Sequence, residues 1–227
     1  MTTATDSFLV DDVIISGKAQ NNVYKVSDEE YEKMLEDSVY STGNNARIKQ
    51  VIQNARDGKD VTLAYIGGSI TEGALAKPNS MCYAEVSAKT FGVKYGKNNG
   101  ENVHFINAGM SGTPSDIGVV RYNRDVIDRL PEGSDHPDVL FIEFAVNDYG
   151  TATAGKGYEG LIRQALKSGS AVVLVFSVFK QASGGVVCEN DYRPFGTYYD
   201  LPMISMGNAI SSYFATSDKE AFYKWYF

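Results

Sequence analysis

Cysteine and histidine are scarce in this chain and no long apolar run is present, which excludes several classes of protein. The 227 residues include two cysteines, Cys82 and Cys188, and two histidines. Two distant cysteines form neither a metal-binding spacing nor a disulfide framework, so two reduced thiols are favoured over a single bridge. No apolar segment approaches the roughly 20 residues that a membrane-spanning helix requires. We therefore expect neither a metal centre nor a membrane-spanning segment.

Basic residues are outnumbered by acidic ones. The chain has 21 Lys and Arg against 28 Asp and Glu, which gives a net charge of −7 and a pI near 4.9. Nucleic acids and anionic membranes attract clustered Lys and Arg, so we expect neither as a partner. A neutral or cationic small molecule, or an uncharged polymer, is a better match. The sequence indicates no cofactor.

The start of the chain also lacks a secretory signal. Its first residues, Met1-Thr-Thr-Ala-Thr-Asp6, contain no basic segment followed by a hydrophobic one. We expect a cytoplasmic protein, or a secreted one whose signal peptide is absent from this sequence.

The composition that remains is ordinary for a globular protein. The chain is 43% hydrophobic and long enough to bury one substantial core. Residues 1–43 contain short strand-like segments and a helix that begins at a capping box, Ser27 to Glu30. We interpret residues 1–43 as an N-terminal extension and residues 44–227 as the domain.

Within that domain, apolar strand patterns alternate with helical ones. The predicted strands are 61–66, 103–107, 138–144, 171–178 and 201–206. The predicted helices are 45–57, 80–91, 115–130, 158–167, 208–215 and 218–225. In the helix over 115–130, we expect Ile117, Val120 and Ile127 to face inward. The alternation predicts an α/β fold with a mostly parallel, five-stranded sheet between two layers of helices.

Three unusual loops follow the first three of these strands. They are Gly67-Gly-Ser-Ile-Thr71, Asn107-Ala-Gly-Met-Ser-Gly-Thr113 and Ala145-Val-Asn-Asp148. The carboxyl ends of parallel strands meet at one edge of the sheet, where open α/β sheets bind their ligands. The loops therefore offer one site a serine hydroxyl, glycine backbone amides and an asparagine side chain.

Acyl transfer needs these groups. Ser69 would attack an ester carbonyl, whose oxygen then develops negative charge. The N–H groups of Ser69 and Gly112 and the side-chain amide of Asn147 are the predicted oxyanion hole, in which one donor contributes ~2.7–4 kcal/mol. Glycine at 112 would let the backbone approach the substrate closely.

Other glycine-loop chemistries match less well. Residues 68–73 have the spacing of a phosphate-binding loop, but Ala74-Leu75 stands where that loop requires Lys-Ser/Thr. Residues 109–112 lack the third glycine of a dinucleotide-binding fingerprint. Thr71 replaces the last glycine of the G-x-S-x-G nucleophile elbow.

Together, the three loops resemble the first three conserved blocks of the SGNH (GDSL-type) hydrolase superfamily. The resemblance covers about residues 44–227 and matches Ser69, Gly112 and Asn147 to the Ser, Gly and Asn of those blocks. It implies a flavodoxin-like three-layer fold and serine esterase chemistry on lipids, acyl thioesters or acetylated sugars. The Gly-Gly-Ser-Ile-Thr form, with Glu-Phe-Ala-Val-Asn-Asp in the third block, looks most like bacterial carbohydrate esterases.

The chain departs from the family pattern in three places. Gly68 replaces the usual Asp of the first block and Ala145 the usual Gly of the third, and neither change removes a catalytic group. The third departure concerns the Asp-x-x-His block that supplies the family's base after the last strand and a helix. The sequence ends in Phe222-Tyr-Lys-Trp-Tyr-Phe227 instead. We expect the chain to be truncated just before that block and to have very low esterase activity alone.

Neither histidine of the chain is suited to replace that base. His104 begins the second predicted strand and His136 precedes the third, so both belong at the amino edge of the sheet. At ~3.3 Å per strand residue, they lie roughly 15 Å or more from Ser69. A structural or surface role is favoured for each.

Three further features have less specific interpretations. Glu143 lies in an apolar strand, so it needs a partner or a raised pKa; Arg121 and Arg124 are candidate partners in a structural ion pair. Asp148 is interpreted as a turn residue. The tyrosine-rich segment 192–199 is interpreted as a loop that either stacks on sugar rings or packs on the domain.

We interpret the chain as a serine esterase that hydrolyses O-acyl esters on carbohydrate, O-acetyl esters in particular, through an acyl-enzyme at Ser69. Two alternatives stay open. One is a non-catalytic carbohydrate-binding or scaffold module of the same fold, and the other is a lysophospholipase or thioesterase of the same superfamily. A lipase is disfavoured because no long apolar lid or interfacial helix is visible.

Overall fold

The computed structural model describes residues 27–74, 76–150, 155–178 and 188–216, with side chains described as far as residue 211. The strands are β1 (Val39–Ser41), β2 (Val61–Gly67), β3 (Val103–Gly109), β4 (Val139–Glu143), β5 (Ala171–Phe176) and β6 (Met203–Ser205). The helices are α1 (Asp28–Ser38), α2 (Ala46–Arg56), α3 (Ser69–Glu72), α4 (Tyr83–Tyr95), α5 (Ser115–Asp125), α6 (Lys156–Ser168), α7 (Glu189–Tyr198) and α8 (Met206–Thr216), with 3-10 turns at Asn79–Met81 and Ile127–Arg129. The helix predicted over 218–225 lies outside the described residues.

All six strands form one sheet in the order β1-β6-β5-β4-β2-β3. Strand β1 runs antiparallel to β6, and every other pair is parallel. The predicted α/β class is confirmed, but the prediction of five strands is wrong because β1 adds a sixth. Strand β1 belongs to the predicted N-terminal extension; the boundary at residue 43 itself stays a prediction.

Helices cover both faces of the sheet, which is why its central strands are apolar throughout. On one face, α2 and α4 pack against odd-numbered positions of β2 such as Leu63 and Tyr65. On the other, α5, α6 and α7 pack against the alternate positions, Ala64 and Ile66. The Tyr65 ring stacks on Phe141 of β4 at a centroid distance of 4.3 Å. None of the helices in the described residues is long and apolar enough to cross a bilayer.

The inward face predicted for α5 is wrong at two of its three positions. Ile117 and Val120 are 47% and 81% exposed, and Ile127 alone of the three packs on the core. Gly118 faces inward instead, so close to the core that a Cβ there would lie 2.6 Å from Cζ of Phe144. Gly118 therefore lets this helix approach the core closely, and Val119 and Tyr122 pack on the core beside it.

The segment predicted as a tyrosine-rich loop forms most of helix α7. Tyr192 is buried and stacks on Tyr158 of α6 at a centroid distance of 4.0 Å. Pro194 lies inside the helix and Gly196 two residues later, and both residues disfavour a helix in isolation. Packing on α6 therefore outweighs local propensity, and Tyr192 is not available to stack on a sugar.

The order of the strands places a topological switch point between β2 and β4. The chain leaves β2 through α4 on one face to reach β3, then returns through α5 on the other face to β4. Connections that depart in opposite directions leave a crevice at the carboxyl ends of the two strands. The predicted serine and asparagine loops follow these two strands.

Candidate active site

Ser69 is the first residue of α3, a one-turn helix directly after β2. Its side chain is half-buried. The N-cap residue before it is Gly68, which has no side chain with which to cap the helix. The helix closes at once, since Gly73 N–H donates to Ser69 O at 3.0 Å. The strand-to-helix turn thus presents the serine at the carboxyl edge of the sheet, as predicted.

Asn147 lies directly against the turn that carries Ser69. A Cβ on residue 68 would be 1.8 Å from Asn147 Oδ1, so only glycine leaves room for this side chain. Asn147 Oδ1 is buried and has no hydrogen-bond partner among the described residues. The asparagine amide therefore packs beside the turn that carries the predicted nucleophile.

Gly112 lies in the loop that follows β3. Its φ of 71° is in the left-handed region, which glycine adopts without strain, and a Cβ there would have no neighbour within 4 Å. The start of this loop is fixed to the end of β2, because Met110 N–H donates to Gly67 O at 3.0 Å. The three predicted site residues therefore lie on adjacent loops, and their catalytic roles stay a prediction.

Glu72 joins two of these loops and was not among the site residues predicted from the sequence. Its Oε2 accepts a hydrogen bond from Ser111 N–H at 2.8 Å and a second from Ser111 Oγ. Glu72 is on α3 with Ser69, and Ser111 precedes Gly112. The one signal in the sequence was an acidic residue three positions after the predicted nucleophile.

Glu143 is completely buried beneath the site, and its carboxyl group accepts hydrogen bonds from three donors. Thr71 Oγ1 donates to one oxygen at 3.0 Å, Ser177 Oγ donates to the other, and Gly68 N–H donates as well. Burial raises the pKa of Glu143, although the three donors oppose the shift. Thr71 Oγ1 also lies 3.0 Å from the hydroxyl of Tyr83. This carboxyl group holds the turn on which Ser69 is placed.

The predicted ion pair between Glu143 and Arg121 or Arg124 is wrong. Arg121 donates to the carbonyls of Ala108 and Gly67 at 2.6 and 2.9 Å, at the ends of β3 and β2, and to Asp125. Arg124 lies on the surface and also pairs with Asp125. The two arginines hold the pKa of Asp125 at about 2, with the Arg124 hydrogen bond as the main cause. Hydroxyl and amide donors, which also fit a buried carboxylate, replace the expected arginine at Glu143.

Asp148 is a buried anchor rather than a simple turn residue. Its Oδ1 accepts from Ser115 N–H at 2.7 Å, at the start of α5, and its Oδ2 accepts from the Tyr192 hydroxyl. The Tyr192 bond joins α7 to the Asn147 loop. Asp148 thus fixes the backbone that follows Asn147.

Both histidines lie at the amino edge, as predicted. His104 pairs in register with Thr62, five residues before the end of β2, which is roughly 16 Å at ~3.3 Å per residue. It lies 3.2 Å from Asp60, while His136 contacts Asp135 beside Gly169. Neither can reach Ser69.

The described residues contain no cluster of three or more His, Cys, Asp and Glu side chains that could hold a metal ion. Cys82 and Cys188 are buried free thiols, and burial raises the pKa of Cys188 to about 11. A thiol with so high a pKa stays protonated at neutral pH and is a poor nucleophile. Ser69 is therefore the better candidate nucleophile in the described part of the chain.

No protein-family model and no curated protein matches this chain. Solved structures do. A two-domain esterase (CEX) active on acetylated mannans is 29% identical with a TM-score of 0.69, over 82% of this chain and 48% of that one. The same esterase co-crystallised with mannopentaose matches at 30% identity and a TM-score of 0.68, over 82% and 49% of the two chains. This chain thus spans about half the length of those esterase chains.

A more distant structure supports the fold. AlinE4, an SGNH-hydrolase family esterase, is 18% identical with a TM-score of 0.51, over 68% of this chain and 79% of that one. At that identity the likeness concerns the fold alone. Together, these structures confirm the resemblance predicted from the three sequence blocks.

Proposed function

Because this chain resembles the SGNH hydrolases and also an esterase active on acetylated mannans, we propose that it is a serine esterase that removes O-acyl groups from carbohydrate. O-acetyl groups are the proposed substrate in particular. The observation that carries the proposal is the contact of Asn147 with Gly68, which places the asparagine side-chain amide beside the turn that carries Ser69. The resemblance to an esterase active on acetylated mannans supports the choice of substrate.

In the proposed reaction, Ser69 Oγ bonds to the ester carbonyl carbon and the carbonyl oxygen becomes an oxyanion. The N–H groups of Ser69 and Gly112 and the amide of Asn147 would stabilise that charge. The sugar hydroxyl leaves with a proton, and water then releases the acyl group from Ser69. Both steps need a general base, which neither His104 nor His136 supplies because both lie at the other edge of the sheet.

The position of those histidines favours a second candidate function. A domain that keeps the fold without a base would act as a carbohydrate-binding or scaffold module. Such a module would bind acetylated polysaccharide and release no acetate. A thioesterase or lysophospholipase differs from both, since it would act on acyl thioesters or lysophospholipids.

Acetate release from acetylated mannan separates these functions. The assay compares this chain, the full protein that its gene encodes, and Ser69→Ala in each. We expect the full protein to release acetate and Ser69→Ala to fall to the uncatalysed background. An organophosphonate probe should label the active form and miss Ser69→Ala. Binding of the polysaccharide without acetate release or labelling would refute the esterase, and hydrolysis confined to acyl thioesters or lysophospholipids would refute the carbohydrate substrate.

A further inference from the structure

The loop that carries Gly112, residues 110–113, is held by few contacts. Ser111 and Gly112 are exposed, and a Cβ on Gly112 would meet nothing within 4 Å. Within the loop, the N–H and hydroxyl of Thr113 both donate to Met110 O, at 3.4 and 2.8 Å. These bonds shape the loop but do not fix its distance from Ser69.

Two contacts connect the loop to the turn that carries Ser69. The first is the backbone bond from Met110 N–H to Gly67 O. The second is the pair of hydrogen bonds that Ser111 donates to the carboxylate of Glu72. Hydrogen bonds to an ionised acceptor are about twice as strong as neutral ones. Glu72 and Ser111 are both exposed, so water screens part of that gain. The Glu72 contact is the one that lies next to Gly112.

Glu72 itself is in a fixed position. It belongs to the same helical turn as Ser69, and its backbone packs against the end of β3, where a Cβ on Gly109 would lie 2.1 Å from Glu72 N. A displacement of Glu72 would therefore move α3 as a whole. Through the hydrogen bonds of its carboxylate, Glu72 restrains Ser111 relative to α3.

We propose that Glu72 is a positioning residue of the esterase: it holds Gly112 N–H at the distance from Ser69 that oxyanion binding requires. The inference rests on the proposed function. Glu72 touches no reacting atom and acts through Ser111. Because a donor misplaced by about 1 Å can cost roughly 100-fold in rate, a loop restraint of this kind bears on kcat more than on KM.

A purely electrostatic role for Glu72 makes the opposite prediction. A negative charge near the oxyanion hole opposes the charge of the transition state, so its removal would raise the rate. Glu72→Gln removes the charge but keeps a carbonyl oxygen that can accept from Ser111. The proposed restraint therefore predicts a partial loss in Glu72→Gln, and the electrostatic role predicts a gain.

Steady-state kinetics on p-nitrophenyl acetate test the proposal in the full protein. We expect kcat to fall roughly 10- to 100-fold in Glu72→Ala with little change in KM, and to fall by less than roughly fivefold in Glu72→Gln. Glu132→Ala, a change at another exposed glutamate in a different loop, should match wild type. A wild-type kcat in Glu72→Ala, or a higher one in Glu72→Gln, would overturn the proposal.

Amide hydrogen exchange tests the same restraint without any activity. We expect Ser111 N–H to exchange at least about 10-fold faster in Glu72→Ala than in wild type, and the N–H groups of β2 to be unchanged. Unchanged exchange at Ser111 would reject the restraint even if the protein is an esterase. If exchange rises as expected but wild type releases no acetate, the restraint exists and the proposed function fails.

Discussion

The absence of a side chain at residue 68 decides where Asn147 can lie. The asparagine amide occupies the space in which any other residue would place its Cβ, 1.8 Å from Asn147 Oδ1. Backbone and asparagine cannot both keep their positions once that space is filled. Gly68 thus leaves the space that the side chain of Asn147, the proposed oxyanion donor, occupies.

A Gly68→Ala variant should lose most of the esterase activity. The added methyl group displaces Asn147, and loss of one oxyanion donor costs roughly 100- to 1,000-fold in kcat. Acetate release measures this effect. Gly133→Ala is the control for adding a methyl group to a glycine, because a Cβ there would have no neighbour within 4 Å. The φ of Gly133 is 87°, against −88° for Gly68, so any backbone strain falls on the control. A fully active Gly68→Ala would show that Asn147 is not a donor.

At Glu143, burial should make the stability of the protein depend on pH. In the folded state, the pKa of its carboxyl group is raised above the ordinary value of about 4.5. The folded protein therefore binds this proton more tightly than the unfolded chain does. Its contribution to stability is then complete below about pH 4.5 and is lost as pH rises through the raised pKa.

Glu143→Gln isolates this effect, because the amide keeps the shape of the side chain and does not titrate. Urea unfolding between about pH 4 and pH 8 gives both free energies of unfolding. We expect the stability of wild type to decline relative to Glu143→Gln as pH increases. A constant difference across that range would mean that Glu143 keeps its ordinary pKa.

At the scale of secondary-structure elements, helix α5 shows how a glycine can form part of the buried face of a helix. Its exposed positions include Val120, while Gly118 and Arg121 face the sheet. Arg121 reaches the carbonyls at the ends of β2 and β3 from this position. The apolar pattern of the helix is thus a poor guide to its buried face.

Two substitutions in α5 test that orientation. Val120→Lys should change the free energy of unfolding by less than about 0.5 kcal/mol, because its side chain is largely in solvent. Gly118→Val should destabilise by about 1–3 kcal/mol or more, because its side chain would overlap Phe144. Thermal or urea unfolding compares the two. If Val120→Lys destabilised the protein more than Gly118→Val, Val120 would face inward as the sequence predicts.

At the scale of the whole molecule, we propose that residues 44–227 form the hydrolase-like domain and that residues 1–43 extend it. The extension contributes β1 to the sheet, and Met34 and Leu35 of α1 are buried. Burial of one such side chain contributes about 1.5–3 kcal/mol. The extension therefore supports the stability of the domain.

Deletion of residues 1–43 measures that contribution. We expect the free energy of unfolding to fall by at least about 3 kcal/mol, since two buried side chains and the pairing of β6 are lost. Urea unfolding of the shortened and complete chains gives the difference. Equal stabilities would show that residues 44–227 are independent of the extension.

The sequence predicted most of this architecture because strands covered on both faces are continuously apolar. The five predicted strands and the order of the three loops followed from that pattern. Strand β1 was not predicted, because three residues are too few to show an alternation of apolar and polar positions. Its pairing with β6 is also distant in sequence. Helix α7 escaped because Pro194 and Gly196 oppose helix formation locally, whereas Tyr192 packing favours it.

The sequence predicted where the loops of the candidate site lie but not the contacts that support them. Ser69, Gly112 and Asn147 follow successive strands, so parallel-sheet geometry alone brings their loops to one edge. The bonds of Glu72 to Ser111 and of Thr71 to Glu143 depend on how the loops turn after they leave the strands. No periodicity encodes such contacts.

The contact between Gly68 and Asn147 also has an evolutionary consequence. Two of the departures from the superfamily pattern, Gly68 for Asp and Ala145 for Gly, lie in the two loops that meet at this contact. Because Asn147 lies between them, we expect the two changes to be coupled. In related sequences, positions 68 and 145 should therefore covary, and an aspartate introduced at 68 alone should be deleterious until the asparagine loop changes with it.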